Sequence, residues 1–222
     1  MGEGSIGRLA AALILLLAGS TVASAGDATI RETAPRRKID FYVLSLAWAP
    51  SYCARRGDKA DEDLCDVVPA YGFVVHGLWP QYNQGYPLNC TGADGEKVSE
   101  DNLRMIAHIM PRRGLVASEW QSHGRCTSLS QNDYFAKIEA AYKAVKMPHD
   151  IPRLGKSVRP LDVENAFLKA NPQLPRTGIS IGCDSRFLRE VRLCLTTNLK
   201  FRSCPEIQQG MCRQQRVAMP PR

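Results

Sequence analysis

Phe73-Val74-Val75-His76-Gly77-Leu78-Trp79-Pro80-Gln81 is the stretch on which the reading of this 222-residue chain turns. Gly72 to Val75 is short, aromatic and β-branched, the composition of a buried strand, and that strand delivers His76 at its end, beside a glycine. Upstream, Phe41 to Trp48 is apolar on both sides of a two-residue period, which suits a central strand, and Pro50 ends it. Downstream, Asn83 to Lys97 is turn-rich loop, and a second histidine segment follows: Ser118-Glu119-Trp120-Gln121-Ser122-His123-Gly124-Arg125-Cys126.

The rest of the chain supplies helices and then more strands. Ser99 reads as an N-cap, with Glu100 and Asp101 in the first turn, where the helix dipole favours acids. Leu103, Ile106 and Met110 fall on one face before Pro111. Leu115 to His123 reads as a short helix stopped by Gly124. Ser130 to Val145 is a clearer one, with Tyr134, Ile138, Ala141 and Val145 recurring at helical spacing, and another runs from about Leu161 to Ala170. The last third changes period. Ile179 to Gly182 is strand-like. From Phe187 to Leu195, the residues Phe187, Val191, Leu193 and Leu195 share one side, interrupted by Arg189, while Glu190 and Arg192 take the other. That is the pattern of a half-exposed antiparallel strand. The expected class is α+β: an antiparallel β-sheet with helices packed on it, in one disulfide-stapled domain.

Arg8 precedes an apolar run from Leu9 to Ala18, too short to span a bilayer, and Ala23-Ser24-Ala25 is a small-residue cleavage site. Residues 1–25 therefore read as an export signal, with a mature domain over 26–222 and an exported destination, periplasmic or secreted. No later stretch is apolar enough for a membrane span. Eight cysteines lie beyond the signal, an even number in an oxidising context, which favours disulfides; no pair has C-x-x-C spacing. The formal charge is +7, and beyond Asp184 eight basic side chains face only Glu190 and Glu206. Such a field attracts polyanions and also keeps a protein in solution, and charge alone does not separate the two.

A pair of histidines can cut a phosphodiester without a metal, one taking a proton while the other gives one, because both charge states of imidazole are accessible near neutrality. Glu119 and His123, four residues apart on a helix, share a face. Such a carboxylate can orient the ring, raise its pKa and place an acid beside a reacting phosphate; an ordinary surface ion pair has the same spacing. Trp79 either packs in the core or stacks on a base, a contact worth about 1–3 kcal/mol.

Taken together, the two segments resemble the active-site signatures of the ribonuclease T(2) family. The first matches the family's strand ending in His-Gly-Leu-Trp-Pro, and the second resembles His-Glu-Trp-x-Lys-His-Gly-x-Cys. Phe41 to Cys53 resembles the family's first strand, Glu190-Val191-Arg192-Leu193-Cys194 its late strand, and the spacing of the last four cysteines is similar too. The resemblance implies cofactor-free, metal-independent cleavage of single-stranded RNA. Attack of the ribose 2′-hydroxyl gives a 2′,3′-cyclic phosphate and a free 5′-hydroxyl, and hydrolysis can follow. It assigns His123 as base, His76 as acid and Glu119 as the group beside the phosphorane; Trp79, from its own position, is expected on the substrate. By the same analogy Cys90 pairs with Cys126, Cys183 with Cys212, Cys194 with Cys204 and Cys53 with Cys65. Two positions depart from the family pattern: its phosphate-binding histidine is Ser118 and its lysine is Ser122. Arg125, three residues beyond Ser122, is the expected source of the missing charge. Little base preference and a monomer are expected, with a non-catalytic RNA- or polyanion-binding relative as the alternative. A metal-dependent phosphodiesterase is a third reading, and it lacks a clustered set of acidic ligands.

Overall fold

The computed structural model describes residues 38–222 apart from 93, 150 and 152–155. The expected export signal lies outside the described residues.

The first strand, β1 (Phe41–Trp48), is followed by the helices α1 (Ala49–Arg56) and α2 (Glu62–Cys65) and then by β2 (Phe73–Gln81). Three helices come next, α3 (Glu100–Ile106), α4 (Arg113–Ser122) and α5 (Gln131–Ala144). The chain continues through β3 (Ser157–Val158), α6 (Pro160–Ala170), β4 (Ile179–Cys183), β5 (Leu188–Thr196) and β6 (Val217–Ala218). Four strands form one antiparallel sheet in the order β2-β1-β5-β4, and β3 pairs with β6. Helix starts follow their caps: Ser99 Oγ accepts from the Asn102 N–H and Ser130 Oγ from the Asp133 N–H.

Alternation along β1 sorts the two faces of the sheet. Tyr42, Leu44, Leu46 and Trp48 join the main buried cluster with Trp120, Tyr134, Phe135 and Phe167 from the helices. On the opposite face, Phe41 and Val43 pack with the Cys194–Cys204 disulfide and Trp79 at one end. Ala47 meets Ala49, Leu64 and Val74 at the other. Between these two apolar patches lies Ser45, so the middle of this second face is left to polar groups.

Two bulges set what stands there. Ser45 opposes Gly77 and Leu46 opposes Val75, which leaves His76 as an extra residue in β2. The strand therefore does not end at His76, as its composition suggested, but runs on to Gln81. An inserted residue re-aims side chains and raises local twist, and here it turns both His76 and Gly77 toward the polar face. Pro80 is tolerated because β2 is an edge strand. In the second bulge Gly182 opposes Glu190 and Cys183 opposes Leu188, so Arg189 is the extra residue. That explains why Arg189 broke the apolar alternation. It also corrects the assignment of the inner side, since Leu188 takes the place in the main core expected for Phe187.

The eight cysteines form Cys53–Cys65, Cys90–Cys126, Cys183–Cys212 and Cys194–Cys204. Cys90–Cys126 ties the loop after β2 to the turn after α4, beside a hydrogen bond from the Asn89 N–H to the Ser122 carbonyl. Gly124 completes that turn because a Cβ there would lie 2.3 Å from Trp120 and 2.7 Å from Tyr134. Both rings are fully buried. Gly124→Ala should destabilise the protein by about 1–3 kcal/mol, the usual cost of overpacking a core; urea unfolding monitored by tryptophan fluorescence measures it. Among the described residues no helix is long and apolar enough to cross a membrane.

Candidate active site

His76 is fixed from behind. Its Nδ1 lies 3.0 Å from Glu190 Oε2, and the same oxygen accepts from Ser45 Oγ at 2.7 Å. The other oxygen of Glu190 accepts from Arg192, through Nε at 2.9 Å and through Nη2. An ionised carboxylate only accepts, so Nδ1 of His76 carries its proton toward Glu190. The opposite nitrogen, Nε2, is then aimed at the cleft, 3.7 Å from Glu119 Oε1.

Glu119 comes from the other layer. It lies on α4, is 5% exposed, and accepts a hydrogen bond from Trp79 Nε1 at 2.8 Å. Its Oε2 is 4.0 Å from His123 Nε2. His123 is the first residue past α4, and its N–H still bonds to the Glu119 carbonyl. The i, i+4 spacing read from the sequence thus survives although His123 has left the helix. The Trp79 ring lies between the imidazoles, with centroids 5.4 Å from His76 and 5.7 Å from His123. Gly77 makes this contact between layers possible, since a Cβ there would lie 2.0 Å from Glu119 Oε2.

The surroundings charge the two imidazoles in opposite senses. Burial works against the His76 cation, but the Glu190 hydrogen bond and the charges of Glu119 and Glu190 outweigh it, so the His76 pKa is raised. His123 has no such backing. Burial, then the charge of His76, lowers it to about 4, and its buried Nδ1 has no hydrogen-bond partner among the described residues. Glu119 is pushed up to about 7 by burial, partly offset by His76 and Trp79. Glu190, although burial opposes its ionisation, is held at about 2 by His76, Arg192 and Ser45. The arrangement therefore favours the cation at His76 and the neutral ring at His123, with a carboxyl that titrates near 7 beside both. Glu190→Gln should lower the His76 pKa, because it removes the anion and the acceptor at Nδ1 together. An NMR titration of the ring protons reads the shift; an unchanged His76 midpoint would contradict the role given to Glu190.

The other residues singled out from the sequence divide. His76, Trp79, Glu119 and His123 come together. Ser118 is exposed on α4, and Ser122 is engaged through its carbonyl with Asn89. Arg125 does not stand where its position after Ser122 suggested. The helix has ended, and a 3₁₀ turn over Gly124–Cys126 carries Arg125 to Glu96, 2.9 Å away, and against Gly92. The cation beside the cluster is Arg192, 5.4 Å from the Trp79 ring centre. Sequence reasoning missed Ser45, Glu190 and Arg192 as site residues. The signal was present in the last two, which alternate with the apolar residues of β5 and so share its outward side.

Two cavities flank the cluster. One, of about 640 Å³, is lined by Trp79, Tyr82, Tyr86, His123 and Arg192 near the start of β1. The other, of about 130 Å³, is lined by Tyr52, Arg55, His76, Arg112, Arg189 and Glu190 near its end.

Two histidines and a buried carboxylate gathered beside the polar middle of the sheet, opposite its main helical core, are groups able to do general acid–base chemistry. Residues 39–204 match the profile of the Ribonuclease T2 family. The chain is 32% identical over 197 residues to a ribonuclease of Aeromonas hydrophila, covering 82% of this chain and 83% of the relative. It is 30% identical over 206 residues to ribonuclease 3 of Arabidopsis thaliana, covering 82% and 90%. Among solved structures, an RNase-related protein from Calystegia sepium superposes with a TM-score of 0.66 at 19% identity, covering 83% of this chain and 98% of that one. RNase NT, solved in complex with 5′-AMP, superposes with a TM-score of 0.62 at 22% identity, covering 84% and 100%. At these identities the structural matches speak for the fold alone. The chain belongs to the ribonuclease T2 family and is an endoribonuclease.

Proposed function

We propose that the cleft cuts single-stranded RNA without a metal ion, by transfer of the phosphate to the neighbouring 2′-hydroxyl. The observation that carries this reading is the pair of imidazoles whose Nε2 atoms face the two oxygens of one buried carboxylate, at 3.7 and 4.0 Å, with only His76 backed by a second carboxylate. Neutral His123 takes the 2′-hydroxyl proton, and charged His76 gives its Nε2 proton to the departing 5′-oxygen. The products are a 2′,3′-cyclic phosphate and a 5′-hydroxyl. Water then replaces the 2′-hydroxyl with the roles reversed, opening the ring. Glu119, poised near neutrality, hydrogen-bonds a phosphoryl oxygen when protonated, and Arg192 adds positive charge on the same face.

The larger cavity, with Trp79, Tyr82 and Tyr86, suits a base held by stacking, which tolerates any base and supports low specificity. The leader read from residues 1–25 and the four disulfides support export, and protein recovered outside the cytoplasm should begin at Gly26.

The test uses oxidised mature protein and a short single-stranded RNA in excess chelator. Mass spectrometry should show cyclic phosphate ends, and a 2′-deoxy sugar placed on the 5′ side of a bond should abolish cleavage there. Cleavage of the deoxy bond, or dependence on added metal, would overturn the mechanism. Binding without cleavage would indicate a polyanion-binding role instead.

A further inference from the structure

The smaller cavity is positively charged out of proportion to its size. Arg55, Arg112 and Arg189 line it together with His76, and the one lining carboxylate, Glu190, is already engaged by His76, Ser45 and Arg192. The arginines come from three separate elements: the end of α1, the residue before α4 and the bulge of β5. Two of them are held from behind. Arg112 lies 3.2 Å from Asp61 and 4.3 Å over the Tyr52 ring, and Arg189 Nη1 is 3.5 Å from Asp184. Arg55 is exposed and within electrostatic range of Asp184. Side chains fixed this way present their remaining N–H groups to an anion at little entropic cost.

The position of the pocket says which anion. Ser45 lies beneath the catalytic cluster. Val43, two residues toward the start of β1, lines the larger cavity, and Ala47, two residues toward its end, lines the smaller one. At about 3.3 Å per residue the two cavities lie roughly 7 Å to either side of the chemistry. The larger contains His123, which faces the attacking 2′-hydroxyl, and the smaller contains His76, which faces the leaving 5′-oxygen. We infer that the arginine-lined pocket is a subsite for the next phosphate on the 3′ side of the cleaved bond, so that the enzyme favours leaving groups that carry a 3′-phosphate. The assignment of side rests on the catalytic roles proposed above; the anion site itself rests on the arginines.

The test compares binding of a nucleoside 3′,5′-bisphosphate with the matching 5′-monophosphate, and cleavage of a dinucleotide with and without a terminal 3′-phosphate. In the wild type the extra phosphate should improve Kd and kcat/KM by about ten- to a hundredfold, the worth of one or two charge-assisted hydrogen bonds. In Arg55→Gln/Arg189→Gln the ratio should fall toward one. It should persist in Arg113→Gln, which removes an equal kind of charge from a pair with Glu100 outside the pocket lining. Equal binding of the two nucleotides, or a ratio untouched by the double variant, overturns the subsite. An advantage from a phosphate on the 5′ side, lost in the double variant, overturns its assignment to the leaving side. Tighter bisphosphate binding lost in the double variant, without cyclic products from any RNA, would leave the anion site standing and refute the catalytic reading.

Discussion

Alanine at His76 is expected to lower kcat/KM on RNA by about 10²–10⁴, and alanine at His123 by a similar factor, the range usual for a positioned general acid or base. The double variant should fall little further, because the two proton transfers serve one displacement and groups acting as a unit are not additive. The pH profiles make the assignment testable beyond the loss of rate. Activity should rise with pH as His123 loses its proton, near pH 4, and should fall as His76 loses its own, above the ordinary histidine value. In His123→Ala the residual activity should lose the acid limb near 4, and in His76→Ala it should lose the alkaline limb that belongs to His76, leaving only that of Glu119. An alkaline limb that survives in His76→Ala/Glu119→Gln would assign the acid to another group. Stopped assays with a fluorogenic oligoribonucleotide from pH 3.5 to 9 give all these profiles, and circular dichroism checks the fold of each variant.

How far the sequence reaches is set by the range over which its signals act. Apolar periodicity is local, so the central strand at Phe41–Trp48 and the helix that begins after Ser130 were legible and stand within a residue of their expected bounds. Bulges are not legible in this way. An inserted residue changes neither composition nor propensity, only pairing, and pairing is decided by a strand far away in sequence. Hence His76 was read as a strand end rather than as the extra residue of a strand that continues, and Arg189 as an interruption. The two histidines and Glu119 were found because they are carried by short segments with their own helix or strand signal. The partners of His76 were not, since Glu190 lies 114 residues away and nothing local marks it beyond its outward alternation. Arg125 shows the converse failure. Helical spacing placed it with Ser122, but the helix stops at Ser122 and a tighter turn redirects the side chain to Glu96.

Gly77→Ala is the substitution whose effect should exceed its size most. One methyl group is added, but the Cβ would lie 2.0 Å from Glu119 Oε2 and 2.5 Å from Trp79 Nε1, inside any permitted contact. The backbone has little freedom to yield, because Gly77 is paired with Ser45 of β1 midway along β2, beside the bulge. The side chains must therefore move, and the Trp79–Glu119 hydrogen bond breaks. Glu119 is 5% exposed on a helix packed against the core, so its carboxyl has no open space to swing into and is displaced from both imidazoles. A displacement of about 1 Å in a catalytic constellation can cost 10²-fold, and that is the expected loss of kcat/KM, accompanied by about 1–3 kcal/mol of stability from overpacking. A double-mutant cycle with Glu119→Gln separates the two effects. If the methyl acts by displacing the carboxylate, Glu119→Gln in the Gly77→Ala background should cost much less than it does alone, whereas additive losses would mean that the two residues act independently. Wild-type turnover in a folded Gly77→Ala protein would show that the carboxylate need not stand between the histidines at all, and the proton inventory of the cleft would then have to be drawn without it.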